Sequence, residues 1–244
     1  MKNIMLKLKY DGTNYVGWQK QPNGATIQGE IEARLSALCG ENITVIGCSR
    51  TDSGVHAREY VCNFSTNSLL QPYAIKRALN AKLPHDIVVL SAEYVADDFN
   101  SRYTVQSKTY VYQILNCEER DPFLGKYAYH VKQPLDVESM NLASKHFIGT
   151  YDFRAFTTAE GSEKNTTRTI TDCCAERADN LVTIIVTGES FLHNMVRIIA
   201  GTIIKVGQGG ILADEIPRII ESGERTLAGA TAPAKGLFLS EVTI

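Results

Sequence analysis

A chain of 244 residues with 44% hydrophobic and 21% charged side chains has the make-up of one large globular domain or two closely packed ones, and excludes a disordered or fibrous protein. The net charge of −2 excludes a chain that is basic throughout, so a phosphate-bearing partner requires its lysines and arginines to gather on one face. No apolar run approaches the ~20 residues that span a bilayer, and Lys2 and Lys7 interrupt the N-terminal apolar stretch too early for a signal-peptide core, so a cytoplasmic protein without a membrane partner is expected.

The alternation of Ile4, Leu6, Leu8 and Tyr10 with Met5, Lys7 and Lys9 predicts a first strand with one buried face. Ile27, Ile31, Leu35 and Leu38 then fall on one helical stripe over residues 26–38, with Thr26 as N-cap. Residues 42–48 and 60–65 read as strands. Residues 72–82 read as a helix stopped before Pro84, and 87–95 as a strand. The order is β-α-β-β-α-β.

The same order returns in the second half. Residues 104–116 form a predicted strand with Tyr110, Tyr112 and Ile114 on one face. A helix over 136–148 is capped by Asp136 and followed by Gly149. Strands 166–176 and 181–187 pair across the Ala178-Asp179-Asn180 turn. A helix over 191–206 ends at Gly207, a short helix spans 214–222, and 237–243 closes the set as a strand. The expected fold is α/β (α+β). It consists of two ferredoxin-like halves, residues 1–103 and 104–244, whose mixed and antiparallel sheets merge around a central cleft. No linker rich in Gly, Ser or Pro separates the halves, and no internal sequence repeat accompanies the repeated order.

Three segments carry chemistry. Residues 47–57, Gly-Cys-Ser-Arg-Thr-Asp-Ser-Gly-Val-His-Ala, place Asp52 in a small-residue loop between two strands, with Arg50 before it and Gly54 and His56 after. A lone Asp in such a turn ordinarily caps it. With His56 it makes two ligands of a metal site but supplies no third. Residues 10–21, Tyr-Asp-Gly-Thr-Asn-Tyr-Val-Gly-Trp-Gln-Lys-Gln, read either as a turn over an aromatic plug or as an RNA-contacting loop; Lys9 stands where an aspartyl phosphatase would need its nucleophile. Arg197 lies among Leu192, Met195, Val196, Ile199 and Ile203, so it either snorkels to water or pairs with a carboxylate, for which Asp52 is the natural candidate. Tyr110 is either a core residue or a ring that stacks on a base. The six cysteines form no C-x-x-C pair, and Gly207-Gln208-Gly209-Gly210 lacks the lysine of a phosphate loop.

Taken together and in this order, these segments resemble the TruA family of tRNA pseudouridine synthases. The resemblance extends to Phe99-Asn100-Ser101-Arg102 before Lys108-Thr109-Tyr110-Val111-Tyr112, and to residues 147–156, 188–197 and 234–239. Tyr151 departs from the His common there, and Ser49 and Ser53 replace Gly or Ala.

The resemblance implies isomerisation of uridine to pseudouridine at positions 38, 39 and 40 of the tRNA anticodon stem-loop. It makes Asp52 the nucleophile, Arg197 its partner, and Tyr110 the ring stacked on the target uracil. Arg50, Thr51, Gly54, His56 and Leu239 become substrate contacts. It implies no cofactor, no metal and a homodimer. The rival classes are a catalytically silent RNA-binding platform, which needs the aromatics but no carboxylate–arginine pair, and a metal-dependent hydrolase built on Asp52 and His56.

Overall fold

The computed structural model of the chain describes residues 1–158 and 165–244. They fall into two compact units, Met1–Gln106 with Leu239–Ile244, and Ser107–Phe238. The protein is mixed α/β, and its strands pair mostly antiparallel. Among the described residues no helix is long and apolar enough to cross a membrane.

The first unit runs β1 (Lys2–Tyr10), α1 (Ile27–Cys39), β2 (Ile46–Gly47), β3 (His56–Thr66), α2 (Pro72–Lys82), β4 (Ile87–Val95) and α3 (Ser101–Thr104). β1 is the centre, antiparallel to β3 and to β4, with Leu6 opposite both Cys62 and Ala92. Ile4, Leu6 and Leu8 are buried, as are Ile27, Ile31 and Leu35 of α1 and Ile75 and Leu79 of α2. Thr26 caps α1 by accepting the Gly29 N–H at 3.1 Å.

The other face of β1 is not wholly open, because Asn3 and Met5 are buried too. Asn3 Nδ2 donates to the carbonyls of Ala96 and Phe99, and Asn63 links Asn3 to the Ser101 N–H. The segment after β4 therefore folds back over one end of this face.

The predicted strand over 42–48 shrinks to the two residues of β2. Side chains of α1 take its backbone groups instead. Glu32 Oε1 accepts the Val45 N–H at 3.0 Å, Gln28 Nε2 donates to Val45 O at 3.0 Å, and Ser36 Oγ accepts the Ile43 N–H at 3.0 Å. Satisfied this way, the segment has no need of a ladder partner.

The second unit runs β5 (Ser107–Leu115), β6 (Tyr129–His130), α4 (Val137–Lys145), β7 (Gly149–Asp152), β8 (Thr167–Ala178), β9 (Leu181–Gly188), α5 (Met195–Gly207) and α6 (Ile216–Ser222). β10 (Leu237–Thr243) leads the chain into the residues that count with the first unit. The sheet order is β5-β9-β8-β7, with Tyr110 opposite Val186 and Tyr112 opposite Ile184. Asp136 caps α4 by accepting the N–H groups of Glu138 and Ser139. The family-like segment 147–156 puts its three phenylalanines in the core: Phe147, Phe153 and Phe156 are fully buried, and Phe147 meets Phe156 edge-on at 5.2 Å. α5 starts at Met195, four residues later than its apolar pattern predicts, because Asn194 holds a left-handed backbone.

Replacing Glu32 by Ala removes the acceptor of a buried N–H. Urea titration should register a loss of about 1.5–3 kcal/mol, the range for hydrogen bonds to charged groups.

Candidate active site

Asp52 is half-buried at the turn of the loop joining β2 to β3, and that loop is clamped by the segment following β1. The Trp18 N–H donates to Thr51 O at 3.1 Å, and the Gly54 N–H donates to Tyr15 O at 3.2 Å. The Ser53 hydroxyl also donates to Tyr15 O, at 3.3 Å, and the Thr51 hydroxyl meets the Tyr10 phenol at 2.9 Å. The Val55 N–H closes the turn on Asp52 O at 3.1 Å.

Contact this close needs residues without side chains. A Cβ on Gly12 would stand 2.0 Å from Val55 O, and one on Gly17, whose φ is +97°, would stand 2.5 Å from Thr51 O. The two chain segments thus touch backbone to backbone on both sides of Asp52.

An aromatic floor lies beneath. Trp18 and Tyr60 stack with ring centroids 4.0 Å apart, and Tyr10 leans on Tyr60 at 5.7 Å. All three are buried, as is Tyr15, so residues 10–18 act as the plug; Gln19, Lys20 and Gln21 face solvent. The Tyr60 phenol donates to Ser49 O and so ties the near arm of the loop to β3. Burial, then the neighbouring Cys48 and Tyr10, push this phenol well above its usual range, which keeps it a donor.

His56 is buried, and its Nδ1 accepts the Gly12 N–H at 3.0 Å. The same nitrogen lies 3.0 Å from Asp11 Oδ1, a pairing that needs a proton on Nδ1. One nitrogen cannot serve both roles at once. Holding the Gly12 N–H requires the neutral ring with its proton on Nε2. Arg50 is exposed, Thr51 and Leu239 are buried, and Gly54 is half-buried.

Tyr110 and Arg197 both belong to the second unit. Tyr110 is buried on β5, edge-on to Phe191 at 5.2 Å, six residues before Arg197. Lys108 sits two residues earlier on the same strand face, buried, with Nζ donating to Glu189 O at 3.0 Å. Arg197 is half-buried rather than snorkelled: Nε donates to Ala232 O at 2.8 Å, and Nη1 to Asn194 Oδ1 at 2.7 Å. Its charge is felt by Tyr112, whose phenol burial pushes up and Arg197 pulls back.

Sequence reasoning missed Tyr60, Lys108 and Asn194 as supports. Lys108, a cation amid the apolar positions of a strand, was the one with a readable signal.

The model of the tRNA pseudouridine synthase family matches residues 8–104 and 143–243. The chain is 49% identical over 242 residues to tRNA pseudouridine synthase A 2 of Clostridium perfringens and 50% identical over 242 residues to tRNA pseudouridine synthase A of Acetivibrio thermocellus. Each alignment covers 99% of this chain and 99% of the relative. tRNA pseudouridine synthase A 2 of Clostridium tetani is 48% identical over 243 residues, 99% of this chain and 98% of its own. The chain belongs to the tRNA pseudouridine synthase family. It is an isomerase of that family, as the resemblance of its motifs implies.

Gly12→Ala drives a methyl group into the Val55 carbonyl. Thermal unfolding should show a loss of roughly 1–3 kcal/mol as the Val55 backbone is pushed aside.

Proposed function

We propose that this enzyme converts uridine to pseudouridine at positions 38, 39 and 40 of the anticodon stem-loop of tRNA, with Asp52 as nucleophile. The observation that carries this reading is the clamp on the Asp52 loop. A carboxylate whose backbone neighbours are held from both sides is built for position, whereas a turn-capping Asp needs no such support.

In the proposed reaction the Asp52 carboxylate attacks the uracil ring or the ribose C1′, and the N-glycosidic bond breaks. The detached base rotates and rejoins through carbon C5, which gives up its proton while N1 gains one, and the bond to Asp52 breaks to free the carboxylate. One glycosidic bond replaces another without net redox change or hydrolysis, so carboxylate chemistry alone suffices.

A nucleophilic carboxylate must be ionised, and Arg197 as its partner favours that form. Tyr110 stacks on the extruded uracil, while exposed Arg50 fills the vacated space or clamps the phosphate. Thr51, Gly54, His56 and Leu239 complete the substrate-side shell, Thr51 and His56 by shaping the loop from beneath. Extruding a paired base costs a few kcal/mol, which contacts to the RNA backbone supply. The proposed enzyme acts in the cytoplasm as a homodimer on tRNA.

Asp52→Asn is nearly isosteric. Nucleoside analysis of an unmodified tRNA transcript should give pseudouridine in the anticodon arm with the wild type and at least a roughly thousandfold slower reaction with the variant, while tRNA binding persists. Turnover by Asp52→Asn at the wild-type rate would remove Asp52 from the nucleophile role; binding without any product from the wild type would favour the silent platform.

Affinity for tRNA should fall steeply as salt rises from about 50 to 200 mM, the signature of counterion release. A flat salt response would rule out phosphate contacts as the source of binding energy.

A further inference from the structure

Helix α5 begins against the usual rules. Asparagine is among the best N-caps because, from an extended backbone, its side-chain oxygen takes an N–H of the first turn. Asn194 holds the N-cap position of α5 with φ 59° and ψ 3°, a left-handed backbone, and makes no side-chain cap hydrogen bond. Among the described non-glycine residues only Asp179 shares a positive φ, and Asp179 sits in the tight β8–β9 turn where that conformation is ordinary.

The Asn194 amide is used elsewhere. Oδ1 accepts from Arg197 Nη1 at 2.7 Å, and Nδ2 donates to Thr158 Oγ1 at 2.7 Å. The corner is braced again through His193, whose carbonyl accepts the Thr157 hydroxyl at 3.1 Å and whose Nδ1 lies 3.1 Å from Thr158 Oγ1. A guanidinium is planar, so hydrogen bonds on two of its nitrogens set its plane. Arg197 has both: Nη1 on Asn194, and Nε on Ala232 O. The carbonyl of Ala232 is itself located by the Ala232 N–H, which donates to Arg197 O at 3.1 Å. A residue that gives up its cap and takes a strained backbone persists where the surroundings hold it for another purpose.

We propose that Asn194 is a positioning residue for the pseudouridine synthase reaction, fixing the plane of the Arg197 guanidinium at the expense of the helix cap. The inference rests on the reading of Arg197 as part of the active site. It differs from a folding role in one measurable respect: the side chain serves Arg197, while the backbone conformation it adopts suits glycine better.

The test is Asn194→Gly, assayed by steady-state kinetics on a tRNA transcript and by thermal unfolding. Glycine takes the left-handed backbone without strain, which offsets the lost side-chain bonds, so Tm should stay within about 3 °C of wild type. kcat should fall by roughly tenfold to a hundredfold, with KM for tRNA unchanged within about twofold. A kcat within about twofold of wild type overturns the inference. So does a Tm drop above about 5 °C, which makes Asn194 a folding residue, and so does a loss confined to KM, which makes it an RNA contact. Arg197→Leu, run alongside, separates the two levels. Full activity in Arg197→Leu sinks the reading of Arg197 itself; an inactive Arg197→Leu beside a fully active Asn194→Gly sinks the positioning role alone.

Discussion

The backbone contact of Gly12 with Val55 is the constraint on which the shape of the Asp52 loop depends. A loop between strands normally owes its shape to its own turn residues and stays mobile. Here the carbonyl of Thr51 and the N–H of Gly54 are both taken by the segment that follows β1, so the main chain on either side of Asp52 is held by a partner outside the loop. That partner is in turn anchored by β1, the central strand, and by the start of α1, where the Ile27 N–H donates to Gly17 O and the Gln28 N–H to Trp18 O. Rigidity passes from the sheet and helix into the loop through hydrogen bonds rather than through packing alone. His56 adds one more: its imidazole holds the Gly12 N–H, so the residue that permits the contact is also pinned in place.

The second unit solves the related problem of placing a cation on an apolar helix. Met195, Val196, Ile198, Ile199 and Ile203 bury α5, and a long charged side chain there would ordinarily run out to water. Arg197 is instead met by backbone from the segment around Ala232. That segment comes close because a Cβ on Gly201 would stand 1.8 Å from Ala230 O. Both units therefore use one device: a glycine admits a neighbouring backbone, and the neighbour's polar groups hold the Asp52 loop in one unit and Arg197 in the other.

What the sequence made legible follows from range. The helix at Pro72–Lys82 and the strands at Ile87–Val95 and Leu237–Thr243 stand where proline punctuation and alternation put them, because those signals are local. The motif at 10–21 left two readings open, plug or RNA-contacting loop; Tyr10, Tyr15 and Trp18 form a buried plug, while Thr13, Asn14 and residues 19–21 of the same motif are exposed. Composition alone had no means to tell them apart. Tyr60 looked like any strand aromatic, since its bond to Ser49 crosses eleven residues of chain. The importance of Gly12 was equally hidden, because a glycine's clash partner lies on another segment.

Two places where local rules mispredict the structure differ in kind, and the difference is informative. At 42–45 the strand pattern fails, but Glu32, Gln28 and Ser36 satisfy the backbone that the ladder would have served. The Ile43 N–H and both backbone groups of Val45 find side-chain partners on α1, so that deviation is an alternative way of folding. At Asn194 the side chain makes no cap bond, and its amide is turned toward Arg197. A rule broken with local compensation belongs to the fold. A rule broken while its resource is diverted to a charged side chain is the mark left when geometry at a site outweighs the stability of the element that carries it.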